Sequence, residues 1–398
     1  MPSMRGGRPA VASILALILA TAGQGQEASA RRARDLGLPF EFGTPGRLNA
    51  VTDVPGVEVG HVTLLEGDAV RTGVTAVLPR GRGKPGLGPC FAGAFSLNGN
   101  GEMTGIAWVE ESGLLEGPVV ITNTNSVGVA RDAVIDYARK RLPGAEDWPG
   151  ATWSLPVVAE TWDGYLNDIY GMHVRSEHVF QAIDAARGGP VAEGNVGGGT
   201  GMICYEFKGG IGTASRALAA ADGGYTLGVL VQANFGRRHQ LLVGGLPVGR
   251  ELTGDLVYTR RGTPDPTEAG SIIIVVATDA PLLPHQLKRL ARRAALGVAR
   301  TGSVSGNGSG DLFLAFSTAN PRLGDVKGTI PLSMLPNDRM GPLFEATVGA
   351  TEEAIMNALV AARTMSGRAG HRVVALPQDR VRDILRRHLR LAPEPAPN

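Results

Sequence analysis

From about Gly46 the chain alternates short β-branched runs with turn residues. Val51-Thr52-Asp53-Val54-Pro55-Gly56, Gly73 to Pro79 and Gly117 to Thr122 predict strands and their connections. Between them, apolar residues recur at spacings of three and four, which predicts helices over Val127 to Arg141, Glu177 to Ala186 and Pro284 to Ala299, with a further helix from about Gly349 to Met365. In the third of these, Pro284 can open the helix, while Leu287, Leu290, Ala291 and Ala294 form one face and Lys288, Arg289, Arg292 and Arg293 the other. Strands and helices interleaved along a single long stretch predict a layered α/β protein.

Two places break this rhythm. Leu256 to Gly270 carries Arg260, Arg261, Gly262, Pro264, Asp265, Pro266 and Glu268, a polar loop without apolar periodicity, and it stops at the run Ser271-Ile-Ile-Ile-Val-Val-Ala-Thr-Asp279. A nucleophile at a new chain N-terminus would sit at such a place, where an exposed loop ends on a small hydroxyl residue and passes into a buried strand. Many loops also enter strands through Gly-Ser with no chemistry attached. The other break is at the start: Arg5 and Arg8, an uncharged apolar run from Ala10 to Ala22, then Ala28-Ser29-Ala30. Residues 1–30 have the form of a cleaved export signal, which predicts a periplasmic or secreted mature protein. The alternative, an uncleaved anchor, has an apolar run shorter than the roughly 20 residues a span needs.

Composition narrows the class further. With 43% apolar residues the chain can bury a core, and 39 basic against 37 acidic residues, without a long single-sign block, leave no footprint for nucleic acid. Glycine is abundant, 57 of 398 residues, against a usual share of about 7%, and it signals tight turns and close backbone approaches. Cys90 and Cys204 are too few for a disulfide framework; they can pair in an oxidising compartment or act as two small buried hydrophobes. There is no Gly-x-Ser-x-Gly elbow, Ser-x-x-Lys, His-Glu-x-x-His or Walker loop, and the seven histidines show no metal spacing. The run Gly194 to Gly201 lacks the Walker lysine and predicts a turn that lets backbone approach backbone.

A serine hydrolase built from this sequence needs a base other than an obvious histidine, and a terminal α-amine can serve. Its pKa of about 7.7 to 8.0 leaves part of it neutral near physiological pH, on the same residue as the hydroxyl it activates. Cleavage before Ser271 would create both groups at once, and Gly270 has no Cβ to obstruct the attack.

The run Gly270-Ser271 to Asp279-Ala-Pro-Leu-Leu-Pro-His285-Gln-Leu-Lys288-Arg resembles the start of the β-subunit in the DmpA/BapA family of self-processing aminopeptidases, peptidase family S58. So do Thr301-Gly-Ser-Val-Ser-Gly-Asn307-Gly-Ser309-Gly-Asp311 and Phe316-Ser-Thr-Ala-Asn320. Upstream, Thr52 to His61, Arg71 to Val77, Asn123 to Gly128, Ala159-Glu-Thr-Trp-Asp-Gly164, Lys208-Gly-Gly-Ile-Gly-Thr213 and Val231-Gln-Ala-Asn234-Phe-Gly236 are similar to the family's α-subunit. The resemblance covers roughly Leu36 to Gly370.

It implies a four-layer α/β/β/α sandwich like that of N-terminal-nucleophile (Ntn) hydrolases but with different connectivity. The two pieces would be residues 31–270 and 271–398, forming one catalytic domain, and the assembly a tetramer of processed heterodimers. It implies Ser271 as nucleophile, Ser309 and Asp311 hydrogen-bonded around its amine and hydroxyl, Asn234 as oxyanion donor, and no metal or organic cofactor. Trp162 stands where family members carry a tyrosine, and Asp311 where some have Glu, so Trp162 enters as a substrate contact. Substrates would be small peptides, amides or esters; members differ over L-, D- and β-residues, and nothing in this sequence chooses. Two other readings stay open here: a related amide hydrolase of the pantetheine-amide type, and an unprocessed exported binding protein. Asp163, Asn167 and Asp168 read as turn or helix-capping groups.

Overall fold

The computed structural model describes residues 31–82, 88–141, 155–257, 270–324, 328–388 and 391, together with the backbone at 259–260 and 263–264. The export signal expected over residues 1–30 and most of the 256–270 loop lie outside the described residues.

In chain order the first half gives β1 (Glu58–Glu66), β2 (Val70–Leu78), β3 (Cys90–Gly99), α1 (Ile106–Ser112), β4 (Leu114–Leu115), β5 (Val119–Asn123), α2 (Val127–Arg141), β6 (Val157–Thr161) and α3 (Ser176–Asp184). The second half gives β7 (Ile203–Cys204), β8 (Phe207–Lys208), β9 (Gly210–Ala217), β10 (Thr226–Asn234), β11 (Thr259–Arg260), β12 (Thr263–Pro264), β13 (Gly270–Thr278), α4 (Pro284–Arg300), β14 (Ser309–Ser317), α5 (Gly341–Ala361), β15 (Met365–Ser366), β16 (Arg372–Val373) and α6 (Gln378–Arg387).

Two sheets carry the fold. One has the order β4-β3-β14-β13-β10-β9, the other β1-β2-β5-β6. Alternation along β13 shows how they stack, since successive side chains of a strand point to opposite faces. Ile273, Val275 and Ala277 share a core with Val59, Val77, Val119, Ile121 and Val157 of the second sheet. Ile272, Ile274 and Val276 instead pack with Leu287, Leu290 and Ala294 of α4 and with Ala350, Ala354 and Ala358 of α5. On the far side Val74, Val120 and Val158 meet Ala130, Ala133 and Val134 of α2 and Val179 and Ile183 of α3. The layers therefore run helix, sheet, sheet, helix, the four-layer α/β/β/α sandwich of the Ntn-like class. A strand buried on both faces reads as continuous apolar sequence, as Ile272 to Ala277 does.

The parallel pairs β13·β14 and β5·β6 are each joined by a crossover helix, α4 and α2. Gln232 on β10 ties the sheets together, its amide donating to the Thr122 carbonyl at 3.0 Å and to Thr161 Oγ1 at 2.8 Å.

Several expectations change. Val51–Asp53 is a single 3₁₀ turn rather than a strand, closed by the Asp53 carboxylate, which accepts from the backbone N–H groups of Leu48 and Ala50. The last long helix begins at Gly341 and ends at Ala361, displaced toward the N-terminus from the predicted Gly349 to Met365, with Pro342 in its first turn. Cys90 and Cys204 are both free and buried, packed in different cores. The glycine run behaves as expected: a Cβ at Gly199 would lie 2.4 Å from the Ile211 nitrogen, and one at Gly201 2.4 Å from the Arg71 carbonyl.

Candidate active site

Pairing registers bring the sequence-predicted residues to one end of the larger sheet. Because β13 runs antiparallel to β10, its first residues face the last of that strand, and Ser271 pairs with Asn234. Because β13 runs parallel to β14, both begin at the same end, and Gly270 pairs with Ser309, Ser271 with Gly310 and Ile272 with Asp311. All four candidates, Asn234, Ser271, Ser309 and Asp311, are buried.

Gly270 is packed so tightly that a Cβ there would lie 2.3 Å from the Asn234 carbonyl oxygen and 3.0 Å from Phe235 Cα. The backbone just before Ser271 has room for glycine alone.

The polar groups interlock. Gly310 N–H donates to Ser271 Oγ at 3.3 Å, and Ser309 Oγ donates to Asp311 Oδ1 at 2.6 Å. The second Asp311 oxygen accepts from Ser305 Oγ, on a loop residue held at φ 52°. Burial pushes the Asp311 carboxyl above the ordinary carboxylate range, against the pull of the Ser305 and Ser309 hydroxyls. Asn234 is held by both ends of its amide: Oδ1 accepts from Ile203 N–H at 2.7 Å and Nδ2 donates to the Trp162 carbonyl at 3.0 Å. A primary amide has two N–H donors, of which the Trp162 carbonyl takes one, and Asn234 pairs with Ser271 across the sheet.

Ser271 opens into a cavity of about 310 Å³ lined by Asn100, Thr124, Glu160, Trp162, Gly270 and Gly308. Trp162, named from the sequence, is therefore at the site; its indole lies where a Cβ on Gly164 would approach within 2.6 Å. Glu160, like Ser305, is not singled out by the sequence. Its carboxylate accepts from Glu102 N–H at 3.0 Å and from Thr124 Oγ1, and burial raises its pKa. A lone acid at the end of the apolar run Val157-Val158-Ala159 was the available signal.

Of the turn candidates, the Asp163 carbonyl does accept from Leu166 and Asn167 N–H groups. Its carboxyl, however, is buried, accepts from Asn167 Nδ2 at 3.0 Å, and is pushed by burial up to about 6. Asp168 precedes a 3₁₀ turn without capping it and lies 3.4 Å from His173 Nε2.

A four-layer sandwich with a serine at the start of a central strand, beside an amide and a hydroxyl–carboxylate pair, defines an Ntn-type serine hydrolase. The comparisons with known proteins agree. The family model described as peptidase family S58 matches residues 49–373. The β-peptidyl aminopeptidase BapA of Sphingosinicella microcystinivorans is 54% identical over 378 residues, 91% of this chain and 93% of the relative. Among solved structures, a β-aminopeptidase of Burkholderia sp. superposes with a TM-score of 0.81 at 52% identity, covering 90% of this chain and 99% of that one. The L-aminopeptidase D-Ala-esterase/amidase of Ochrobactrum anthropi, described as a prototype of the serine aminopeptidases, gives 0.84 at 45% identity, covering 91% and 99%. The chain belongs to peptidase family S58 and is a serine aminopeptidase.

Proposed function

We propose that the chain cuts itself between Gly270 and Ser271, and that Ser271 then works as an N-terminal nucleophile. The observation that carries this is the convergence of Ser271, Asn234 and the Ser309–Asp311 pair at one sheet end, beside a glycine that admits no side chain. In self-cleavage Ser271 Oγ attacks the Gly270 carbonyl carbon, the C–N bond breaks, and the hydroxyl proton passes to the departing Ser271 amine. Water then hydrolyses the ester, leaving the Gly270 carboxylate and a free Ser271. In turnover the α-amine takes the Ser271 hydroxyl proton as Oγ attacks the substrate carbonyl, then gives it to the leaving amine. Water releases the acyl group. The second Asn234 N–H stabilises the oxyanion in both reactions, and the Ser309–Asp311 pair holds the new amine, which forms opposite Ser309.

Glu160 takes the substrate's own ammonium. Its carboxylate shares the cavity with Ser271, and a cation there offsets the burial that now raises its pKa. This makes the enzyme an exopeptidase: the acid recognises a free N-terminus. The named β-peptidyl and β-aminopeptidases at 54% and 52% identity favour N-terminal β-amino acids as the acyl part. The Ochrobactrum enzyme, at 45%, keeps L-residues and D-Ala esters or amides as the second reading.

A panel of β-homoalanyl, L-alanyl and D-alanyl p-nitroanilides, each with and without an N-acetyl group, separates these readings. Free β-aminoacyl substrates should turn over fastest and acetylated ones not at all. Glu160→Gln should raise KM by roughly 10- to 100-fold, the loss of a charge-assisted contact of about 1.5 to 3 kcal/mol. Equal rates on acetylated substrates would refute the ammonium site. Removal of residues 1–30 on export and assembly into a tetramer complete the proposal. The N-terminal sequence of the secreted protein and its mass by light scattering test them.

A further inference from the structure

Lys208 is fully buried, and among the described residues its ammonium donates to three backbone carbonyls: Met202 at 2.7 Å, Gly209 at 2.8 Å and Gly199 at 3.3 Å. Three acceptors around one amine call for three N–H donors, which only the ammonium form supplies. Burial draws its pKa down to about 7, and the nearby Asp163 carboxylate acts to raise it. A buried cation without a bonded carboxylate is an expensive way to close a loop, since desolvation costs several kcal/mol per ion. Its placement shows a more specific use.

Lys208 pairs with Ile203 across the β7–β8 hairpin. The peptide group joining Met202 to Ile203 is engaged at both ends: its carbonyl accepts from Lys208 Nζ at 2.7 Å and from Gly209 N–H at 2.9 Å, and its N–H donates to Asn234 Oδ1 at 2.7 Å. The hairpin is fixed to the end of β10 a second time, by Tyr205 N–H donating to the Phe235 carbonyl at 2.7 Å. Its two turn residues, Tyr205 and Glu206, both adopt left-handed backbone, at φ 51° and 59°. Neither is glycine, so this tight turn is held against local strain.

We propose that Lys208 is a positioning residue for the oxyanion donor, acting through the Met202–Ile203 peptide to fix and polarise the Asn234 amide. A cation on the peptide carbonyl makes its N–H a stronger donor, and a stronger bond to Asn234 Oδ1 makes the Nδ2–H a stronger donor in turn. The same bond sets which end of the Asn234 amide faces Ser271. This inference rests on the assignment of Asn234 as oxyanion donor.

The test is a double-mutant cycle of Lys208→Met and Asn234→Ala in the full chain, with kcat and KM expressed per free Ser271 amine as counted by mass spectrometry. Asn234→Ala should lower kcat by about 10²- to 10³-fold. Lys208→Met alone should lower kcat by roughly 10- to 100-fold with KM changed less than about threefold. In the Asn234→Ala background it should change kcat by less than about threefold, because its target is gone. Equal loss in both backgrounds, or unchanged kcat in the single variant, would overturn the proposal. Unchanged kcat in Asn234→Ala would instead remove the oxyanion assignment beneath it. If Lys208→Met is insoluble, Lys208→Gln replaces it in the cycle; insolubility of both would make Lys208 a support of the fold and overturn its role in catalysis.

Discussion

Replacing Gly270 with Ala would push a methyl group against the Asn234 carbonyl, 2.3 Å from where it would lie, and backbone on both sides would have to shift. The variant should fold and self-cleave at least about tenfold more slowly, since each 1.4 kcal/mol of misplacement is worth that factor in rate; a time course of fragment formation measures it. Loss of Ser305 leaves one Asp311 oxygen without its hydroxyl donor. Ser305→Ala should slow turnover by about tenfold, within the range of a lost hydrogen bond to a charged group, with the fold intact by circular dichroism. At this scale the residues themselves pointed only to Ser271, at the head of an apolar run after a polar loop; Asn234, Ser309 and Asp311 came from the family resemblance, since an amide at a strand end and a Gly-Ser-Gly-Asp turn carry no chemistry on their face. Glu160 and Ser305 were hidden for a physical reason. Each lies in a quoted motif, but its part depends on what the fold places opposite it, the cavity for Glu160 and the second carboxylate oxygen for Ser305, and no spacing along the chain encodes that.

Elements with strong periodicity were legible. Helix α2 occupies Val127–Arg141 as predicted, and α4 starts at Pro284. Helix α5 was placed too late: most of its buried residues lie from Ala346 to Ala361, and the start carries Gly341 and Pro342, which read as breakers rather than as a first turn. The Val51 run misled because its β-branched residues are overridden by Asp53, whose side chain offers the backbone a turn. Strand β1 carries a pH-dependent weakness. His61 has Nδ1 3.0 Å from Thr75 Oγ1 and Nε2 sealed from solvent, and burial, aided by Arg187, lowers its pKa to about 4. Between that value and its unfolded value of about 6.5 the unfolded chain binds the extra proton. Stability from this residue is present above pH 6.5 and lost as pH falls toward 4, by less than about 3 kcal/mol. Urea midpoints across pH 4 to 7 should fall with pH, and His61→Gln should flatten that part of the slope.

On the scale of the whole molecule, the proposed cut falls inside a sheet rather than between domains. β13 is hydrogen-bonded to β10, which precedes the cut, and to β14, which follows it, and the two cores packed on the faces of β13 mix residues from the two sides. The two pieces should therefore co-elute after cleavage and unfold in one transition. The layered class was readable from interleaved strands and helices. The connectivity was not, because strand order such as β4-β3-β14-β13-β10-β9 is set by long-range packing that no local pattern records. Self-cleavage is the central claim, and the intact mass of the purified protein under denaturing conditions, beside a Ser271→Ala variant, tests it most directly. The account predicts two fragments in the wild type, the smaller beginning at Ser271, and a single chain in the variant. One uncut chain in both would contradict it, because the free amine on which the mechanism depends would not exist.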